Sequence, residues 1–260
     1  MNPLQAYVCT MKHPILIPLI ASAFVLASCD KLGLGKDTVT SYLDEVGQSL
    51  DQYRLGCEQK DAQFCTALGL YYQQKAQDPE KASEYYGKGC DLKDGAACAF
   101  IGDLHVAGEV VRKSYTKAKE YYVKGCNYSE GSACNNLGVL YESGHGVRQD
   151  DRKAMTNYRK GCELGEGLAC KNLGDYYLEG DAVRKDLDTA LERYDEGCSL
   201  GEGVACNAVG EIYANGDLVV QDLKLAERYF DKACELGNDD GCDNSKYIMG
   251  FKKESQRSAE

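Results

Sequence analysis

The chain contains no tryptophan and only three histidines among its 260 residues. So few imidazoles leave nothing from which a catalytic zinc site is usually built, because such sites need clustered histidines. Basic side chains are also in deficit: 30 Lys and Arg stand against 41 Asp and Glu, for a net charge of −11. That balance disfavours nucleic acid and anionic membrane surfaces as partners. A cationic or neutral polar partner fits better. Nor does the apolar run at residues 15–26 reach the length of about 20 residues that a membrane-spanning helix needs.

What the run does resemble is an export leader. Met11, Lys12 and His13 give it a basic start, and Leu26-Ala27-Ser28-Cys29 closes it with small residues. Residues 1–28 are therefore expected to be a cleaved signal, with Met11 as the natural start. Leu-Ala-Ser-Cys is also similar to the bacterial lipobox, which would make Cys29 the lipid-modified first residue of an exported chain, held at a membrane only by that anchor. Residues 29–40 would then be a linker. Removing the leader takes away one Lys and no acid, so the mature chain is one unit more negative.

Fourteen cysteines would be out of place in a reducing compartment, and no CxxC or histidine company supports a zinc reading. Twelve of them fall into six copies of one device, C-x7-C: CEQKDAQFC from Cys57, CDLKDGAAC from Cys90, CNYSEGSAC from Cys126, CELGEGLAC from Cys162, CSLGEGVAC from Cys198 and CELGNDDGC from Cys234. The first cysteines step by 33 residues once and by 36 thereafter. A period of that length indicates stacked units rather than one globular core.

Pairing is open to two readings. Each second cysteine could bond the next first cysteine, but the separation then varies and Cys57 and Cys242 are stranded. Pairing within each device leaves none over: Cys57-Cys65, Cys90-Cys98, Cys126-Cys134, Cys162-Cys170, Cys198-Cys206 and Cys234-Cys242. In a continuous helix, eight residues would set the Cα atoms roughly 12 Å apart, beyond the reach of a disulfide. The chain must turn back between the two.

Counted from the second cysteine, position 3 holds Leu68, Ile101, Leu137, Leu173 and Val209; position 4 holds Gly69, Gly102, Gly138, Gly174 and Gly210; position 7 holds Tyr72, His105, Tyr141, Tyr177 and Tyr213. Apolar or small residues at i, i+3, i+4 and i+7 make one face of an α-helix, helix A. Glycine inside a helix costs about 1 kcal/mol, so the column implies close approach of another backbone. Helix A should end at Gly108, Gly144, Gly180 and Gly216. After a loop with Val111, Val147, Val183 and Val219, helix B should be capped by Asp78, Ser114, Asp150, Asp186 and Asp222. It carries Ala82, Ala118, Ala154, Ala190 and Ala226, and an aromatic column of Tyr53, Tyr86, Tyr122, Tyr158, Tyr194 and Phe230. The helical spacing of these tyrosines marks them as packing residues between successive hairpins rather than a ligand-stacking surface.

The expected fold is thus all-α: a right-handed α-solenoid of disulfide-clasped helical hairpins over residues 41–250, with a polar first helix at residues 38–56, a capping segment after Cys242 where Ser245 replaces the expected Leu, and a charged tail at 251–260. The A-C-x-x-L-G-x-x-Y core and the Lys117 to Cys126 segment KAKEYYVKGC resemble Sel1-like repeats, relatives of the tetratricopeptide repeats. With the C-x7-C clasp, the chain is similar to the Helicobacter cysteine-rich proteins. That resemblance implies two functions: a scaffold for a protein or peptide ligand, or a β-lactamase-like hydrolase acting on a β-lactam or cell-wall-like small molecule.

Serine β-lactamases need Ser-x-x-Lys with Ser-Asp-Asn and Lys-Thr-Gly. Ser114 to Lys117 matches the first, the other two motifs are absent, and Ser114 sits where helix B needs a cap. His105 occupies the tyrosine column as a core variant, and His145 lies in a Gly-His-Gly loop. No metal, cofactor or catalytic residue is expected from these patterns. For binding, positions 1 and 5 of helix A should face a concave groove: Asn135, Lys171 and Asn207, where tetratricopeptide clamps grip a peptide backbone or carboxylate, beside Asp103, Asp175 and Glu211, which make this groove more acidic.

Overall fold

The computed structural model describes residues 50–108 and 112–257, with side chains to residue 250. The expected leader, Cys29, the linker to residue 40, the start of the first capping helix, Val111 and the side chains of the tail lie outside these. Twelve α-helices and no strand occur among the described residues: α1 (Leu50–Glu58), α2 (Ala62–Gln74), α3 (Pro79–Asp91), α4 (Gly95–Ala107), α5 (Tyr115–Asn127), α6 (Gly131–Ser143), α7 (Asp151–Glu163), α8 (Gly167–Glu179), α9 (Leu187–Ser199), α10 (Gly203–Asn215), α11 (Leu223–Glu235) and α12 (Asp239–Arg257). They group into two compact units, α1 to α6 and α7 to α12, divided after Arg148. Each unit is a stack of helical hairpins, the architecture of an α-solenoid.

The ends of the helices follow from their caps. Asp78, Ser114, Asp150, Asp186 and Asp222 each accept a hydrogen bond from a backbone N–H in the first turn of helix B. Gly108, Gly144, Gly180 and Gly216 end helix A in the left-handed region, where L side chains are strained and glycine is not. The loop between is pinned by one recurring bond: the N–H of the B-helix cap donates to the position-7 carbonyl, as from Ser114 to His105 and from Asp186 to Tyr177.

All six disulfides join the paired cysteines eight residues apart, with Cα atoms 4.5 to 4.7 Å from one another. In CELGEGLAC the reversal is made by Gly165, at φ 84°; its N–H donates to the Cys162 carbonyl and that of Glu166 to the Gly161 carbonyl. Each clasp ties the last turn of a B helix to the first turn of the next A helix.

One expectation about packing is corrected. Gly69, Gly102, Gly174 and Gly210 of position 4 face a ring, not a backbone: a Cβ on Gly102 would lie 2.5 Å from Tyr122, and one on Gly174 would lie 2.7 Å from Tyr194. The aromatic column thus fills the inside of its own hairpin, as in α4 with α5 or α8 with α9, and also meets the next hairpin as expected: Tyr86 packs on Phe100 at 5.0 Å, Tyr122 clusters with Leu137 and Leu140, and Tyr194 clusters with Val209 and Ile212. The close backbone approach falls at other glycines. A Cβ on Gly125 would lie 2.9 Å from the Gly95 carbonyl oxygen, and one on Gly197 would lie 2.8 Å from that of Gly167. There the end of helix B crosses the start of its own helix A with no room for a side chain. At the C-terminal end, Ser245 is buried and hydrogen bonds to Asp231, while Ile248 packs with Ala226 and Phe230. A capping helix thus covers the last hairpin although its sequence departs from the repeat.

Candidate functional site

The six groove residues separate into two places. Asp103 and Asn135 belong to the first unit; Lys171, Asp175, Asn207 and Glu211 belong to the second. Position 1 is not open as expected. Asn135 and Asn207 are 4% and 7% exposed; α10, which carries Asn207, is packed against α8, α9, α11 and α12.

In the first unit Asp103 is a junction. Its Oδ1 accepts from the Tyr122 hydroxyl at 2.6 Å and from Asn136 Nδ2 at 3.0 Å. Asn136 in turn accepts from Asn135 Nδ2 at 3.4 Å. Burial pushes the Tyr122 phenol far up, and the Asp103 charge adds to the shift. The hydroxyl stays protonated and donating.

In the second unit Asp175 plays the same part with a different neighbour. It accepts from the Tyr194 hydroxyl at 2.8 Å and from Lys171 Nζ at 2.7 Å. Lys171 is therefore engaged one turn along its own helix. Asn207 Nδ2 donates to Glu211 at 2.8 Å, and its Oδ1 accepts from Asn244 Nδ2 at 3.0 Å. Asn136 and Asn244 both stand at position 2 and both reach back to the preceding A helix. Sequence reasoning passed over that column, although asparagine recurs in it at 136, 172 and 244.

Around this second network lies an open groove of about 590 Å³. Its polar lining includes Lys171, Asp175, Glu211 and Asp217, and its apolar lining includes Leu178, Val204, Ile212 and Leu218. Val204 and Leu218 are 42% and 56% exposed. Neither carried a helical-face signal in the sequence: Val204 precedes the second cysteine of its clasp, and Leu218 lies in the loop after α10.

No constellation for the enzyme reading is assembled at Ser114. Its Oγ accepts the Lys117 backbone N–H at 3.3 Å as the cap of α5. His105 is buried with its Nδ1 unpartnered and stacks on Tyr121 at 5.5 Å. His145 is exposed and stacks on Tyr115 at 4.6 Å. Among the described residues one group of metal-ligand types comes together, Cys162, Cys170 and Glu196. Its two sulfurs are bonded to each other and so are not thiolate ligands.

The Sel1 repeat family matches residues 50–94, 95–127, 131–166, 167–201 and 203–238, which is most of the chain and takes in α1 to α11. The chain is a Sel1 repeat protein. Among solved structures it is similar to a Sel1 repeat protein from Oxalobacter formigenes, with 22% identity, a TM-score of 0.64 and coverage of 82% of this chain and 84% of that one. It is also similar to a protective antigen of uropathogenic Escherichia coli, with 24% identity and a TM-score of 0.63, covering 75% of this chain but only 43% of the antigen. Helicobacter pylori cysteine rich protein B is 36% identical, with a TM-score of 0.42, over 52% of this chain and 98% of that one. Among curated proteins none matches the chain. The Sel1 scaffold is consistent with protein binding. The six disulfides suit an oxidising, extracytoplasmic environment, and among the described residues no helix is long and apolar enough to cross a membrane.

Proposed function

We propose that this Sel1 repeat protein is a binding scaffold that holds a protein or peptide segment in the groove of its second unit. The observation that carries this reading is the juxtaposition of exposed Val204 and Leu218 with a fixed polar network at Lys171, Asp175, Asn207 and Glu211. Apolar contact supplies affinity, and oriented polar groups supply register. The test is a phage-displayed peptide selection on purified protein, followed by binding to Val204→Asp/Leu218→Asp and to Leu55→Asp. Leu55 is equally exposed but lies in the first unit. Selected peptides should lose the first variant and keep the second. Equal binding to both would remove the groove from consideration.

The chain is exported and anchored through Cys29 in this reading, which the leader pattern and the clasps support. Incorporation of labelled palmitate into wild type, and its loss in Cys29→Ser, tests the anchor. The β-lactam alternative rests on the family resemblance. It predicts nitrocefin turnover that falls in Ser114→Ala, whereas the capping role of Ser114 predicts no difference between the two proteins.

A further inference from the structure

The charge of the chain is not shared evenly. Each unit contains 15 Lys and Arg, but residues 1–148 contain 17 Asp and Glu and residues 149–260 contain 24. Most of the net charge of −11 therefore belongs to the unit with the groove. Within the groove the imbalance is sharper. Three carboxylates, Asp175, Glu211 and Asp217, face one ammonium, that of Lys171, which Asp175 already holds at 2.7 Å. Glu211 and Asp217 are exposed and are in no ion pair among the described residues. One oxygen of Glu211 accepts from buried Asn207, which fixes the carboxylate on the groove wall. The sole cation is thus neutralised, and two carboxylates remain available beside an apolar surface.

We propose that the groove is selective for a cationic peptide segment, its Lys or Arg side chains received by Glu211 and Asp217 and an apolar side chain resting on Val204 and Leu218. This rests on the binding reading above and reverses the polarity of a carboxylate clamp: Lys171 serves to orient Asp175 rather than to meet the ligand. The charge field of the whole unit favours approach of the same ligand. The apolar wall distinguishes a peptide from a free polyamine, which offers no side chain to it.

Short fluorescein-labelled peptides of equal length, alternating Leu with Lys, Gln or Glu, provide the test by fluorescence anisotropy. The Lys/Leu peptide should bind most tightly and the Glu/Leu peptide least. In Glu211→Gln/Asp217→Asn the Lys/Leu affinity should fall by about fivefold, the scale of two exposed ion pairs, with the Gln/Leu affinity unchanged. Gln at position 211 can still accept from Asn207, so the network is kept. Glu163→Gln/Glu235→Gln removes the same charge from exposed sites of the unit outside the groove and should leave Lys/Leu binding within about twofold of wild type. Equal loss in both variants would reduce the effect to general charge and overturn the site. Binding that is lost in Val204→Asp/Leu218→Asp but indifferent to peptide charge would overturn the cationic preference alone. No saturable binding by any of the three peptides would overturn both.

Discussion

Gly102 lies against the ring of Tyr122, so closely that a methyl carbon on it would be 2.5 Å from Cε1. The glycine is what lets a whole tyrosine enter the hairpin while its hydroxyl reaches Asp103 at 2.6 Å. Gly102→Ala should therefore destabilise the protein by roughly 1–3 kcal/mol, overpacking outweighing the gain in helix propensity. Gly87 is the control, because a Cβ there meets only Ile101 at 3.8 Å. Gly87→Ala should stabilise by about 1 kcal/mol. Urea denaturation followed by circular dichroism separates the two, and the opposite ordering would refute the packing assignment.

Three residues after the first cysteine of each clasp the backbone is left-handed in every repeat. Gly165, Gly201 and Gly237 occupy that place in the last three copies, but Lys60, Lys93 and Ser129 do so in the first three, at φ 65°, 70° and 64°. A side chain with Cβ is strained there by about 1–2 kcal/mol. Lys93→Gly should relieve that strain and, after the greater freedom of an unfolded glycine is subtracted, stabilise by about 0.5–1 kcal/mol. Gly201→Ala should cost a similar amount. Thermal melts of the two variants, moving in opposite directions, provide the check.

Much of this is legible in the sequence. The 36-residue step, the pairing of cysteines and the caps at Asp150, Asp186 and Asp222 are local or periodic features, and each has a short-range physical cause. The partners of Gly102 and Gly174 were not legible, because a helical period marks the phase of a face but not which neighbour covers it. The burial of Asn135 and Asn207 escaped for a related reason. An A helix such as α10 is packed against four neighbours, α8, α9, α11 and α12, and a wider arc is buried than a single apolar stripe of about 100° suggests. The groove depends on Val204 and Leu218, whose exposure follows from the clasp turn and a loop rather than from periodicity.

His105 makes one repeat sensitive to acid. Burial lowers its pKa from the ordinary value, the charge of Lys117 lowers it further, and a backbone hydrogen bond with Arg112 and the Glu120 charge act in the opposite sense. The unfolded chain binds the proton at about pH 6.5 and the folded chain only at lower pH. Stability is therefore full above about pH 6.5 and declines as pH falls from there towards the folded pKa. His105→Tyr restores the tyrosine of the column and should flatten the melting temperature between about pH 7.5 and about pH 5. A wild type with no greater acid sensitivity than this variant over that interval would show that His105 does not control it.

Asp175 joins the fold to the proposed ligand, since it accepts from both Tyr194 and Lys171. Asp175→Asn retains an acceptor for the Tyr194 hydroxyl, so the hairpin should lose no more than about 1 kcal/mol. The same change releases Lys171 into the groove and removes one of its three carboxylates. Discrimination should then shrink: the Lys/Leu peptide binds more weakly, the Glu/Leu peptide more tightly, and their ratio falls by about fivefold. Tyr194→Phe removes the hydroxyl but leaves the Lys171–Asp175 pair, so it should reduce stability by a similar amount without altering that ratio. A ratio that moved equally in the two variants would mean that peptide preference follows the stability of the hairpin, and that Lys171 is not held out of play by Asp175.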